Sequence, residues 1–249
     1  MEYNYNFIRP VLGRNGLVGR REELALLKES MFKKRMKNTI LVGEAGCGKT
    51  AILEQFAYDM EHFYKLIELD IASCVAGTSL RGQFEEKLIN FLEDVVKQDS
   101  QCQIKTIIYI DEIHTLYTAG GSEGAVDASN ILKGYLSKGQ ITIIGATTRA
   151  EYERTIARDK AFSRRLSPIF IKNLDDKTNM LILKKFNEGY LPDDIVEFIY
   201  EKSKTLGKTN PDVAIEILDR CMAKQKYTGD KITPSIVNKI VGFMKEGVI

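Results

Sequence analysis

The chain has 249 residues, 44% of them apolar and 28% charged, which is enough for a packed core in one large domain or two modest ones. A formal net charge of only +2 argues against nucleic acid or an anionic membrane as the main partner. The four scattered cysteines and two histidines show no metal-ligand spacing, so reduced thiols in a cytoplasmic protein are expected. No apolar run is long enough to span a bilayer, and the first residues lack signal-peptide character.

The first residues of the chain allow two interpretations. Aromatic and polar residues alternate over 3–7, and the chain then meets Pro10 and Gly13. This pattern fits an edge strand, or a tail that becomes ordered on a partner, and we treat residues 1–16 as an N-terminal tail. A helical pattern follows, with three apolar residues on one face: Leu24, Leu27 and Met31.

Residues 43–50 read G-E-A-G-C-G-K-T and match the phosphate-loop pattern G-x-x-x-x-G-K-[ST] without a mismatch. An apolar run precedes them and a helical pattern follows, so backbone N–H groups and a helix N-terminus would face a phosphate. Lys49 can reach the β- and γ-phosphates, and the Thr50 hydroxyl can hold Mg²⁺. We therefore expect ATP and Mg²⁺ as cofactors. The predicted nucleotide-binding residues here are Gly43, Glu44, Ala45, Gly46, Cys47, Gly48, Lys49, Thr50 and Ala51.

Cys47 carries an additional hypothesis. A thiol at the mouth of a helix has a lowered pKa, so it could react with thiol reagents unless ATP protects it. The alternative is that Cys47 is only a small residue that fits the loop.

Strand and helix patterns alternate from residue 39 to residue 174. The candidate strands are 39–43, 65–70, 104–110, 141–145 and 168–171. This alternation predicts an α/β fold with a parallel five-stranded sheet sandwiched by helices.

The strand at 104–110 ends in Asp111 and Glu112. Ligands of such sheets bind at the carboxyl ends of the strands, so both acids should lie beside the phosphate loop. Asp111 would bind Mg²⁺, and Glu112 would polarise the water that attacks the γ-phosphate.

From residue 175 onward the patterns are all helical, at about 176–187, 192–206, 211–226 and 233–246. Asn210-Pro211 and Thr233-Pro234 each read as a cap followed by proline at the first helical position. We predict an α/β nucleotide-binding domain over 17–174 and a small helical domain over 175–249.

Several motifs beyond the phosphate loop occur in the order typical of one family. They are Val18-Gly19-Arg20, Arg81-Gly82-Gln83-Phe84, Asp111-Glu112-Ile113-His114, Gly145-Ala146-Thr147-Thr148 and Arg164-Arg165. Over about residues 17–230 the chain resembles an AAA+ ATPase, a phosphate-loop NTPase. Within that group it is similar to the first ATPase module of ClpA/ClpB/ClpC-type protein unfoldases.

The resemblance implies roles for the matched residues. Val18 and Gly19 would line the adenine pocket, and Thr147 would be the sensor-1 residue that helps to orient the attacking water. Arg164 and Arg165 would be paired arginine fingers that act on the nucleotide of a neighbouring subunit. The simpler alternatives are that Thr147 only caps the turn after its strand and that the two arginines form local salt bridges on an exposed loop. The helical domain would be the lid that closes over the nucleotide.

The chain also departs from the family. The pore loop that grips substrate has an aromatic residue before Arg-Gly, whereas this chain has Leu80 before Arg81 and Gly82. The third lid helix lacks a sensor-2 arginine, which leaves open which lid residue senses nucleotide. The sequence ends at Ile249, where a full Clp unfoldase would continue into a second ATPase module.

We expect an ATP-hydrolysing, Clp-like chaperone module that works as a homo-oligomeric ring, a hexamer, and remodels a protein partner. One alternative is an ATP-dependent regulatory switch acting on a larger complex, which the Leu80 loop favours. The other is a DNA-directed loader or transposition ATPase, and the near-neutral charge counts against it.

Overall fold

The computed structural model of the chain describes residues 3–34, 36–76, 81–117 and 128–247. Its contacts divide into two units, Met1–Gly43 with Lys49–Ile171, and Glu44–Gly48 with Lys172–Ile249. The domain boundary predicted after residue 174 lies three residues beyond Ile171. Most of the phosphate loop therefore groups with the helical part of the chain.

The first unit is built on one sheet of six strands. They are β1 Ile8–Pro10, β2 Thr39–Val42, β3 Tyr64–Leu69, β4 Lys105–Ile110, β5 Thr142–Thr147 and β6 Ser167–Phe170. The sheet order is β1-β3-β4-β5-β2-β6, and strands β2 to β6 pair in parallel. The five predicted strands are confirmed. The strand count was too low by one, because the three-residue strand β1 pairs antiparallel with β3 at the sheet edge.

Aromatic side chains attach the N-terminal segment to the sheet. The Phe7 side chain is buried, and its ring lies 5.9 Å from the ring of Phe91, centroid to centroid. The rings of Tyr3 and Tyr5 also meet Phe91 edge to face. Such aromatic pairs stabilise beyond the area that they bury. The segment is therefore anchored to the sheet, but its strand is at Ile8–Pro10, and residues 3–7, where the alternation predicted an edge strand, are not in a strand.

Helices follow most strands of the first unit. They are α1 Arg21–Phe32, α2 Lys49–Met60, α3 Ile71–Val75, α4 Arg81–Gln101, α5 Ala128–Ser137, α6 Arg149–Glu151 and α7 Lys160–Ser163. A 3-10 turn covers Ile113–Tyr117, and a π-helical turn covers Tyr152–Ile156. Strands β2, β4 and β5 are buried almost throughout, as expected for central strands covered on both faces. Within the described residues, no helix is both long enough and apolar enough to cross a membrane.

The second unit adds four helices: α8 Asp176–Asn187, α9 Asp193–Ser203, α10 Asp212–Thr228 and α11 Pro234–Lys245. Pro234 is the first residue of α11, as predicted, although the Thr233 side chain makes no capping hydrogen bond. The start of α10 differs from the prediction, because the helix begins at Asp212 with Pro211 in the cap position. The Asn210 side chain instead accepts a hydrogen bond from the Ser203 hydroxyl, at 2.9 Å.

Candidate nucleotide-binding site

The phosphate loop begins at a fixed point on the sheet. Val42, the last residue of β2, lies opposite Thr147, the last residue of β5. The Gly43 N–H donates to the Thr147 carbonyl oxygen at 3.1 Å, which extends the strand pairing by one bond into the loop. The Lys49 ammonium group donates to the Gly43 carbonyl oxygen at 2.9 Å, so the lysine lies over the start of the loop.

Inside the loop, two glycines have backbone conformations that other residues rarely adopt. Gly46 has φ +74° and Gly48 has φ +95°. Within the second unit, a Cβ added to Gly46 would lie only 2.5 Å from the Cβ of Asp212. Both the backbone angle and the available space therefore demand glycine at position 46. Sequence reasoning predicted a helix start here but did not place Asp212 beside the loop.

Cys47 points away from solvent. Its side chain is 0% exposed, whereas Cys102 is exposed. A buried thiol is shielded from reagents, so the structure favours Cys47 as a small residue that fits the loop and contradicts the hypothesis of a reactive thiol.

The segment before the predicted adenine pocket is held by a buried glutamine that sequence reasoning missed. The Gln55 side-chain oxygen accepts the N–H groups of Gly16 and Leu17 at 2.7 and 2.9 Å. These bonds attach the chain just before Val18 and Gly19 to α2, the helix that follows the phosphate loop. A glutamine among the apolar residues of the buried face of α2 was the available signal.

The two predicted acids follow β4 in a strained turn. Asp111 and Glu112 are both exposed, and the Glu112 N–H donates to the Asp111 carboxylate at 2.9 Å. Glu112 has φ +44°, a left-handed conformation that is uncommon for a residue with a side chain and costs about 1 kcal/mol or more. The Thr115 N–H donates to the Glu112 carbonyl at 2.7 Å and continues the turn.

Negative charge is concentrated near Asp111. Burial, and then the charge of Asp111, raise the pKa of Glu68 above its ordinary value. Burial and the same aspartate also raise the pKa of Tyr109. A cation at this edge of the sheet would relieve that crowding.

The residues predicted to hold Mg²⁺ fit such an ion. Thr50, in the first turn of α2, and Asp111, at the end of β4, are both exposed and both offer oxygen, the donor that Mg²⁺ prefers. In the part of the chain that the structure describes, no group of three or more His, Cys, Asp or Glu side chains could hold a metal.

Thr147 has a side-chain partner that was not predicted. The Nδ1 atom of His114 lies 2.9 Å from the Thr147 hydroxyl oxygen, and Thr147 itself is only 2% exposed. The 3-10 turn that carries His114 packs closely on β5, because a Cβ added to Gly145 would lie 2.6 Å from Ile113 Cδ1. His114 belonged to a matched motif, but its sequence position gave no role.

The two predicted arginine fingers have different surroundings. The Arg165 side chain donates to Ser137 Oγ at 2.8 Å and to the Ala161 carbonyl oxygen, so it is held within its own subunit. Arg164 is exposed, and its side chain has no partner among the described residues. Arg164 is therefore the better candidate for a residue that reaches a neighbouring molecule.

An ion pair fixes the helix that leads to these arginines. The Asp159 carboxylate accepts the N–H groups of Ala161 and Phe162 and thereby caps α7. The Lys133 ammonium group lies 2.5 Å from the same carboxylate, and both side chains are 18% exposed. Burial alone would raise the pKa of Asp159, but these hydrogen bonds and the charge of Lys133 hold it below its ordinary value.

The predicted substrate loop is only partly visible. Leu80 lies outside the described residues, and Arg81 opens α4. Gly82 is exposed, with open space where a side chain would stand.

The Lys133–Asp159 pair leads to a stability prediction. We expect Lys133→Met to lower the free energy of unfolding by about 1–3 kcal/mol at pH 7, because it leaves a largely buried carboxylate without its cation. Lys138→Met, at an exposed lysine just after α5, is the matched control and should have little effect. Urea denaturation of the three proteins measures the difference.

The effect of Lys133→Met should depend on pH. Because the folded-state pKa of Asp159 is depressed, the pair contributes fully above the unfolded-state pKa of about 3.9 and is lost as the pH falls through the folded-state value. The difference between parent and variant should therefore shrink as the pH falls from 5 to 3. A difference that stays constant over this range would contradict the assignment.

Comparisons with known proteins agree with this geometry. The model of the ATPase family associated with various cellular activities (AAA) matches residues 39–179. The chain is 35% identical to the chaperone protein ClpB of Aquifex aeolicus, over 94% of this chain and 25% of that protein. It is 34% identical to the Clp protease ATP-binding subunit ClpC of Staphylococcus epidermidis, over 90% of this chain and 29% of that protein. The chain thus spans between a quarter and a third of the length of these relatives.

Solved structures give the same result. The chain superposes on a closed-state reconstruction of Hsp104 with ATPγS and FITC-casein with a TM-score of 0.76 and 27% identity, covering 92% of this chain and 42% of that one. For an ADP complex of Hsp104 from S. cerevisiae the TM-score is 0.73 at 28% identity, covering 88% and 33%. The resemblance to Clp-type ATPases inferred from the motifs is confirmed. The chain belongs to the AAA family of ATPases.

Proposed function

We propose that this chain is an ATP-hydrolysing module that works in a homo-oligomeric ring and remodels a protein partner. The observation that carries the proposal is the carboxyl edge of the sheet. There, Thr147 of β5 holds the first residue of the phosphate loop on one side, and β4 delivers Asp111 and Glu112 on the other. A phosphate loop that starts at this edge, together with a cation ligand and a base, would supply what hydrolysis of a γ-phosphate requires.

Each residue has a distinct task in the proposed reaction. Backbone N–H groups of the loop and the Lys49 ammonium group bind the phosphates, and the Thr50 and Asp111 oxygens hold Mg²⁺. When bound, the ion neutralises the charge that develops on the phosphate oxygens. Glu112 accepts a proton from the attacking water, while Thr147 orients the reacting groups by hydrogen bonding.

Two observations support a ring acting on protein. No group in the described part of the chain holds the exposed Arg164 side chain, so it can reach across an interface to another subunit's nucleotide. The Hsp104 reconstruction contains FITC-casein, so that relative was captured together with another protein. We extend both features to this chain, with a hexamer as the proposed ring.

A second candidate is an ATP-dependent switch that binds a larger complex without moving substrate through a pore. The sequence observation in its favour is Leu80, which supplies less contact area than an aromatic residue and no ring face.

Hydrolysis should depend on Glu112 and binding on Lys49. We expect Glu112→Gln to retain ATP binding and to lower turnover by about 10²–10⁴-fold, because it keeps the shape of the side chain but removes the base. Lys49→Ala should lose binding, since its charge also holds the phosphates before reaction. Isothermal titration and phosphate release measure the two effects. Turnover of Glu112→Gln at the parent rate would show that another group is the base.

Catalysis should be shared between subunits. We expect Arg164→Ala to lose turnover, by up to about 10³–10⁵-fold as for arginine fingers elsewhere, with little loss of ATP affinity. Arg158→Ala, at an exposed arginine in the same region, is the matched control. Rings mixed from Glu112→Gln and Arg164→Ala subunits should regain activity, because some interfaces then combine an intact base with an intact arginine. No recovery, together with specific activity that does not fall on dilution, would exclude sharing.

Substrate handling separates the two candidate functions. We expect the parent protein to unfold a tagged fluorescent protein weakly and Leu80→Tyr to unfold it faster, because tyrosine adds contact area. Leu181→Tyr, at an exposed leucine of α8, is the control for an added tyrosine. If neither the parent protein nor Leu80→Tyr unfolds the substrate, the result would favour the ATP-dependent switch. Strong unfolding by the parent that is unchanged in Leu80→Tyr would show that residue 80 does not grip the substrate.

A further inference from the structure

The hydrogen bond between His114 and Thr147 has no part in the reaction described so far. We propose that His114 is a positioning residue that donates its Nδ1–H to the Thr147 hydroxyl oxygen and so leaves the Thr147 hydroxyl hydrogen free for the γ-phosphate. The observation is the Nδ1 to Oγ1 distance of 2.9 Å between two side chains 33 residues apart in the chain. The inference rests on the proposed role of Thr147 and adds a residue to it.

The direction of this hydrogen bond follows from the ligand. A neutral imidazole has one donor nitrogen and one acceptor nitrogen, and a hydroxyl group has one hydrogen and two lone pairs. If Thr147 donated to His114, its hydroxyl group would present only lone pairs to phosphate oxygens, which are themselves acceptors. With His114 as the donor, the hydroxyl hydrogen remains available and the contact with phosphate is favourable.

The backbone around Thr147 leaves little room for adjustment. Strand β5 lies between β4 and β2 in the sheet, and the Thr147 carbonyl oxygen already accepts the Gly43 N–H. The side chain is 2% exposed, so its hydroxyl group must find its partners locally. When one lone pair of the hydroxyl group accepts the His114 N–H, the hydroxyl hydrogen is directed away from His114.

The turn that carries His114 is anchored by its neighbouring side chains. The neighbouring Ile113 and Leu116 side chains are buried, and Ile113 packs into the space that Gly145 leaves open on β5. The same turn starts at Glu112, whose carbonyl oxygen accepts the Thr115 N–H. The turn that begins at the proposed base, Glu112, therefore also carries His114. The His114 side chain connects this turn to Thr147, the proposed orienting residue.

Substitutions at both ends of the bond test the inference. We expect His114→Phe, which keeps the ring but removes the donor, to lower single-turnover hydrolysis about tenfold while ATP affinity changes little, the scale of one lost hydrogen bond. His114→Asn should retain most of the rate, because its amide nitrogen can stand where Nδ1 stood. In a Thr147→Val background, His114→Phe should cause little further loss.

The outcomes separate this inference from the proposed function. A Thr147→Val protein that turns over at the parent rate would overturn the role of Thr147 itself. A slow Thr147→Val protein with a fast His114→Phe protein would overturn the role of His114 alone. A further tenfold loss in the double variant, or a His114→Asn protein as slow as His114→Phe, would show that the histidine acts only by packing.

A measurement on the parent protein does not depend on the folding of any variant at position 114. The chain has two histidines, and His62 is 87% exposed, so nitrogen-detected NMR of the imidazoles has a built-in reference. His62→Gln assigns the two sets of signals. We expect a protonated Nδ1 on His114, and a change in the His114 signals alone in Thr147→Val. An unprotonated Nδ1 on His114 would reverse the hydrogen bond and overturn the inference.

Discussion

The pairing of β2 with β5 is the constraint on which the rest of the site depends. It ends in the hydrogen bond from the Gly43 N–H to the Thr147 carbonyl oxygen. This bond joins the first residue of the phosphate loop directly to the backbone of the threonine. Neither can move along the sheet without breaking a buried ladder, which is costly because a buried peptide group without a partner loses its hydration. The start of the phosphate loop is thereby held by the buried central strands of the sheet.

One close approach and one left-handed backbone conformation bring the acidic turn to the same edge. Gly145 has no side chain, and Ile113 occupies the space that a side chain would need. Glu112 adopts a left-handed conformation that turns the chain out of β4 and into the 3-10 segment. Together these features let a half-buried histidine meet a buried threonine and let a carboxylate remain exposed beside them.

Much of this arrangement could be read from the sequence. Alternating strand and helix patterns gave the five parallel strands, and the spacing of the loop and of the two acids indicated their places at the strand ends. The edge strand β1 was ambiguous, because three residues carry too little pattern and the aromatic anchors depend on Phe91, far along the chain. Pairs such as Lys133 with Asp159 were not predictable, since sequence spacing does not reveal which side chains face each other.

The contacts of Gln55 and Asp212 were also not predictable from the sequence, although the helices that contain them were. Each lies in a helix that was predicted, but the contacts that make it relevant are set by the loop conformation at Gly16 and at Gly46. Backbone angles of this kind are set by the whole fold and not by the neighbouring residues in the sequence. Gln55 gave one signal, as a polar residue on a buried helix face, but its partners and the approach of Asp212 to Gly46 depend on contacts between distant parts of the chain.

The left-handed backbone at Glu112 has a consequence for engineering. Glycine or asparagine would adopt this conformation with less strain, so stability alone favours replacing the residue that we propose as the base. A directed-evolution campaign that selects only for heat resistance would therefore tend to discard this glutamate. Screens for robust variants of this ATPase should score turnover in every round.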